Sequence, residues 1–456
     1  MFPRSRGTLF TLAFLLALMA FGPGAGAGSK ELPPLTVGKA LELALKENPL
    51  IGAAQKRIEQ EESRILQAAS AKSPQLNMSL GYEETKNSPE YPVFDRLTGQ
   101  STRYYAMAGF RRTWRAALSM NLLVSSGGSV ENSVEARRLA KQAAQAELER
   151  TRQSVENQTA SACYNLQRAS ARVEVAREAL DLAAEHLRQT KAFYENGIVA
   201  KNEVLRVEVA HSDAKLKLIQ AENALDTAWS TLERVVGVSL EGRYRLPEPP
   251  EEPGGFLLPV DSVDTAMANR PELKALERSR QSALAMAEAA MGETRPKILL
   301  TGETYLVDDE FFPDPQDEWR VGISAVWTLH DGGKAKARAA EARASAEEFL
   351  FNLEDLRRSI VLEVKKAAND LEAARQRVNV ARAQVASAEE DHRMALRRYA
   401  AQVGTNIDVL DARVALENAR TQYVDAVHDA LQARADLVFA MGLPLDEHVR
   451  QGVTTQ

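Results

Sequence analysis

Between Gly128 and Gly197 the chain contains neither proline nor internal glycine. As α-helix, a stretch of roughly 65 residues measures about 100 Å at 1.5 Å per residue, too long to fold into a compact core. Ala162, Ala169, Ala176 and Ala183 recur every seventh place, as do Leu166, Val173, Leu180, Leu187 and Tyr194. A second stretch repeats the pattern with Ala367, Ala374, Ala381 and Ala388 and with Leu371, Val378, Val385, His392 and Tyr399. A strict heptad imposes left-handed supercoiling, and alanine at one heptad position lets neighbouring helices approach closely. After a turn, Ala412, Ala419, Ala426, Ala433 and Ala440 keep the register, echoed by Ala214, Ala221 and Ala228. The spacing predicts two helical hairpins, over about 128–236 and about 333–441.

The whole chain is in fact a tandem duplication. Pro49 matches Pro271 and Pro74 matches Pro296 at an offset of 222 residues. Further on, Trp114 matches Trp319, Gly127-Gly128 matches Gly332-Gly333, Tyr194 matches Tyr399 and Gly237 matches Gly442 at an offset of 205. The difference of 17 falls between Tyr82 and Trp114, an insertion in one loop of the first copy. The first repeat spans 28–242, a Pro-rich connector 243–259, the second repeat 260–442 and a tail 443–456. Proline in the connector rules out helix or central strand there.

Before each long helix, helical periodicity gives way to alternation. Leu76, Met78, Leu80 and Tyr82 share one face against Asn77, Ser79, Gly81 and Glu83. Strands are predicted over about 75–83, 112–123, 297–305 and 319–329, with a loop from Glu84 to Arg111. Their length suits tilted membrane strands. Four strands cannot close a barrel, so in lipid the chain must be an oligomer whose copies complete the ring. Tyr82, Trp114, Tyr305, Trp319 and Trp327 near the strand ends suit an aromatic girdle, and equally the packing of a soluble sandwich.

Arg4 and Arg6, an apolar run from Leu9 to Phe21 and Ala25-Gly26-Ala27 read as a secretory signal over 1–27, too short to span a membrane as an anchor. The formal charge is -6, and -8 once the two arginines of the signal are gone, which argues against nucleic acid. Cys163 is expected to be a small buried apolar residue. Six scattered histidines lack metal-site spacing, and "DGGKA" lacks full phosphate-loop spacing. No catalytic residues, metal or cofactor are expected.

"ALELALKENP", "LLVSSGG" and "TLHDGG" before the long helices, and "VGTNIDVLDA" at the second hairpin turn, together with the duplicated element order, resemble the TolC family of outer-membrane efflux and secretion proteins. The likeness covers essentially all of the chain after the signal. The fold it implies is mainly α with a small β part: a long α-helical coiled-coil barrel plus four strands per chain contributing to an oligomeric transmembrane β-barrel. The resemblance also implies a homotrimer in the outer membrane, extending into the periplasm, with a periplasmic adaptor and an inner-membrane transporter as partners.

Asp408 and Asp411, three apart, place two carboxylates on the first turn of a returning helix, where they either offset the helix dipole or line a pore constriction. The resemblance carries the constriction role to both. Their first-copy equivalents are Glu203 and Arg206, and the base suggests a latch to an aspartate of a neighbouring hairpin. Gly197, Val403 and Gly404 mark the tips where an adaptor would dock, or simply make the turns. The alternative reading is a soluble periplasmic coiled-coil scaffold or adaptor without a pore.

Overall fold

The computed structural model describes residues 33–84, 90–94, 98, 101–105, 112–240, 244–245, 261–312 and 315–445. The predicted signal, most of the connector and the tail beyond residue 445 lie outside them. In chain order the elements are α1 (Val37–Glu47), α2 (Pro49–Ser70), β1 (Gln75–Glu84), β2 (Glu90–Phe94), β3 (Ser101–Tyr105), β4 (Arg112–Ser125), α3 (Ser129–Glu195), α4 (Lys201–Val236), α5 (Ser262–Asn269), α6 (Pro271–Gly292), β5 (Lys297–Asp308), β6 (Gln316–Val326), α7 (Lys334–Ala400) and α8 (Asn406–Ala440). The protein is thus mainly helical with one four-stranded antiparallel sheet and a two-stranded one.

The long helices α3 and α7 have 67 residues each, whereas α4 and α8 have 36 and 35. The returning helices therefore cover only half of each rod. The other half is covered by α2, packed on α3, and by α6, which sits between α3 and α7. Two four-helix storeys result, α4-α3-α8-α7 below and α2-α3-α6-α7 above.

The storeys meet end to end. Asn48 accepts from Leu50 N at 2.8 Å, capping α2 ahead of Pro49, and its Nδ2 donates to Val235 O of α4 at 2.6 Å. Gly237 closes α4 at φ 89°, and a Cβ there would lie 2.9 Å from Glu47 O. The second copy repeats the junction with different chemistry. Buried Arg270, at the place of Asn48, donates from Nε to Ala440 O at 2.8 Å, and Gly442 (φ 70°) packs on its backbone. In each copy a short helix thus prolongs the returning one, giving four struts per chain.

β1-β4-β5-β6 is the order in the larger sheet, so β4 of one copy pairs with β5 of the other. Cross-strand partners share a face. Tyr82 opposes Trp114, Met78 opposes Leu118, Leu300 opposes Ile323, and Gly302 opposes Val321, all on the apolar side. Among the described residues that side is largely uncovered: Met78 is 81 % exposed and Trp319 77 %. Paired glycines, Gly127-Gly128 and Gly332-Gly333, all at positive φ, turn the sheet into α3 and α7. Asp331 adds a cap at the second junction, accepting from Gly333 N at 2.9 Å and Ala335 N at 2.8 Å.

Several expectations change. The loop from Glu84 to Arg111 carries a hairpin, β2 paired with β3, because hydrogen-bonding strands there relieve the unpaired backbone of a long excursion. β6 begins at Gln316 and ends at Val326, so Trp327 stands past the strand, its Nε1 held by Thr294 O at 2.9 Å. β4 extends to Ser125 through a bulge between Leu123 and Ser125. Tyr194 lies 43 % exposed off the heptad seam, and Ala179, His186 and Phe193 take the inward places instead. The physical reason is that α3 has neighbours on two sides: Leu166 faces the α1–α4 cluster, while His186 faces α7 and α8.

Asn48→Ala should cost about 1–2 kcal/mol by losing a cap and a buried hydrogen bond. The checking measurement is the denaturation midpoint against wild type. An unchanged midpoint would mean that the strut junction adds nothing.

Candidate pore entrance and barrel wall

At the lower tip α3 turns into α4 through Asn196-Gly197-Ile198, and α7 into α8 through Ala401-Gln402-Val403-Gly404. Both turns need one left-handed residue. The first fills it with Gly197 (φ 72°) and the second with Gln402 (φ 63°), at the 205-residue offset. Gly404 serves a different need, since a Cβ on it would lie 3.0 Å from Arg398 Cβ and 3.1 Å from Tyr399 N. Ile198 and Val403 occupy matching places and are exposed.

The four candidate entrance residues do not form one cluster within a chain. Asp408 is the N3 partner of a capping box: Thr405 N donates to its Oδ2 at 3.0 Å while Asp408 N donates to Thr405 Oγ1 at 3.2 Å. The Thr405 backbone and side-chain bonds hold its carboxyl below the usual aspartate range. Asp411, one turn on, is exposed, with no side-chain hydrogen bond or ion pair among the described residues. Arg206 on α4 is likewise exposed and has no partner among the described residues. Glu203 points elsewhere, accepting from Asn406 Nδ2 at 2.8 Å. α8 packs chiefly against α3 and α7 and α4 chiefly against α3, while α4 and α8 meet through Glu203 with Asn406 and through Lys217 with Glu417.

A buried group missed in sequence completes this region. His186, His392, Asn406 and Arg413 are all buried among α3, α7 and α8. The histidines stand one place out of step with the 205-residue offset, so no single spacing pointed to both. Cys163 is buried too, and burial pushes its thiol up to about 12, far from the thiolate a nucleophile needs.

The polar side of the sheet is a connected network. Arg115 bonds Glu303 at 2.9 Å and lies over the Tyr305 ring at 4.6 Å, while the Tyr305 hydroxyl bonds Glu318. Tyr305 therefore does not join the girdle, because its register places it opposite Ala117 and Glu318 on the polar face. On the apolar face Tyr82 stacks on Trp114 at 4.8 Å, and Trp114 meets Phe311 edge-on at 5.1 Å. Trp319 and Trp327 are 77 % and 60 % exposed. No described helix is long and apolar enough to cross a membrane.

A family profile described as "Outer membrane efflux protein" matches residues 40–238 and 262–443. The alkaline protease secretion protein AprF of Pseudomonas aeruginosa is 26 % identical over 281 residues, 60 % of this chain and 58 % of that one. The cobalt-zinc-cadmium resistance protein CzcC of Cupriavidus metallidurans is 23 % identical over 425 residues, 90 % of each. Among solved structures, the outer membrane protein VceC from Vibrio cholerae superposes with a TM-score of 0.71 at 19 % identity, covering 89 % of this chain and 96 % of that one.

The capping box makes a prediction about acid. A depressed carboxyl stabilises the α8 start above the ordinary aspartate range and loses that contribution only as pH falls through its lowered pKa. Amide exchange at Thr405 and Asp408 should therefore stay slow in mild acid. It should quicken in Asp408→Ala more than in Asp408→Asn, which keeps an acceptor.

Proposed function

This chain belongs to the outer membrane efflux protein family, whose members are outer-membrane channels reaching into the periplasm, and we propose that it forms a passive export duct. Three copies would complete the wall, with a periplasmic adaptor and an inner-membrane transporter joining the lower end. The observation that carries this reading is the open sheet. Its edges, β1 and β6, have no strand partner among the described residues, and its apolar side is uncovered, which lipid tolerates only in a closed ring. A soluble scaffold would leave Leu76, Met78, Val321 and Ile323 in water. Tyr82, Trp114, Trp319 and Trp327 would then sit at the membrane–water interfaces. The family is one of channels rather than enzymes, and the duct needs no cofactor.

At the entrance, three copies of Asp408 and Asp411 would gather six carboxylates around one axis. Asp411, with no partner among the described residues, is the freer ligand for a cation, since Asp408 is engaged in its capping box. Arg206 on the edge strut α4 is free to latch onto a carboxylate of the adjoining protomer. Gly197, Val403 and Gly404 mark the surface that an adaptor would engage, and the exposed Ile198 and Val403 give it two apolar knobs.

Purified protein should run as a trimer that needs detergent and should conduct ions in planar bilayers. A water-soluble, non-conducting monomer refutes the duct. In the same bilayers Arg206→Ala should raise single-channel conductance, and an unchanged value removes the latch. Block by multivalent cations should weaken in Asp411→Asn and further in the double Asp408→Asn, Asp411→Asn variant; equal block would leave the aspartates with capping alone.

A further inference from the structure

Near the lower tip, one buried polar network touches all four struts. His186 of α3 is 2 % exposed, and its Nε2 stands 2.6 Å from Asn406 Oδ1 on the first turn of α8. Asn406 Nδ2 donates to Glu203 of α4. The Tyr399 ring of α7 meets the imidazole edge-on at 5.1 Å, and its hydroxyl donates to Thr190 Oγ1 at 3.4 Å. Thr190 in turn donates to His186 O at 2.8 Å.

The network fixes the state of the ring. Because the amide nitrogen of Asn406 faces the Glu203 carboxylate, its oxygen faces His186, which must donate from Nε2. Nδ1 is then the bare nitrogen, buried and without a hydrogen-bond partner among the described residues. A proton added there would create a cation without an acceptor.

The surroundings make that cation still less welcome. From α8, Arg413 faces the site, buried, with Nε and Nη1 lacking hydrogen-bond partners. Its nearest carboxylate, Glu417 at 3.6 Å, also holds Lys217 of α4. From α7 come His392, with Asp391 beside it, and the Tyr399 ring. The α4 carboxylate, Glu203, reaches His186 only through Asn406. Burial, then the Arg413 charge, hold His186 below the ordinary imidazole range against the opposing Asn406 bond. Burial, Arg413 and His186 lower His392 likewise.

We propose that His186 is a proton-responsive clasp between the two hairpins: neutral, it fastens α3 to α8 beside the entrance, and doubly protonated, it releases them. The inference rests on the duct reading and adds a regulator to it. The sign follows from the depressed range. The unclasped ring takes its proton near pH 6.5 while the clasped ring resists, so the clasp weakens as pH falls below about 6.5 and is lost once the lower value is passed. Asp408, held below the usual aspartate range, stays charged in that window.

The test uses the full-length trimer with His186→Gln, His392→Gln and the double variant. Glutamine keeps a neutral donor toward Asn406. Protection against hydrogen exchange in segments 183–193 and 403–409, taken relative to the intrinsic rate at each pH, should fall between pH 7.5 and about 5 in wild type, and single-channel conductance should rise about twofold or more over the same range. In His186→Gln the exchange response should largely vanish, and in the double variant both responses should be absent, with conductance at pH 7.5 near the wild-type value. An acid response that persists in the double variant, or protection in wild type that does not change with pH, overturns the clasp. A trimer that conducts at no pH but shows the expected exchange response retains the clasp and loses the duct.

Discussion

An unpaired strand edge cannot lie in hydrocarbon, because no water is present to take its N–H and C=O groups. That single constraint organises the rest of the chain. The sheet has four strands, apolar on one side and charged on the other, with both edges open. Four strands do not close, so in the proposed duct copies of the chain would complete the ring. The charged side would then form its inner wall, and on it Arg115, Glu303, Tyr305 and Glu318 satisfy one another across β4, β5 and β6. The struts inherit the ring from above: each leaves the sheet through a glycine pair or enters it from a short helix.

Duplication supplies this geometry twice, but not with the same side chains. Asn48 and Arg270 do one job, tying the start of a short helix to the end of a returning one. Asparagine does it with a single amide. Arginine recruits Glu272 and Glu363, and Arg150 of α3, which stacks 3.9 Å over Phe439, joins through Glu272. The two tips diverge in the same way, one bending at Gly197 and the other at Gln402. A backbone shape is retained while the residues that stabilise it differ.

Much of the fold was legible because periodicity reports which face is buried. Heptad alanines such as Ala162, Ala374 and Ala419 are buried in the structure, and the alternation from Leu76 to Tyr82 is a strand. Legibility ended where a residue answers to more than one neighbour. Tyr194 continues a seven-residue series yet is exposed, because α3 turns a different stripe to the second hairpin than to the first. Tyr305 looked like a girdle residue by composition, but only the strand register reveals that it faces the charged wall. The His186 network was hidden for a related reason: its members come from four helices, at sequence separations of up to 220 residues, and no local pattern joins them.

The end-to-end joints at Gly237 and Gly442 interrupt two struts of each chain at mid-height, whereas α3 and α7 pass the same level unbroken. A continuous helix resists flexing because every turn is bonded to the next; two helices butted together share only a few bonds at the seam. Each protomer is therefore a pair of stiff rails carrying a pair of jointed ones. In the proposed duct, sideways displacement of the lower storey would be taken up as rotation at those joints, leaving the circumference of the strand ring unchanged while the far end changes width.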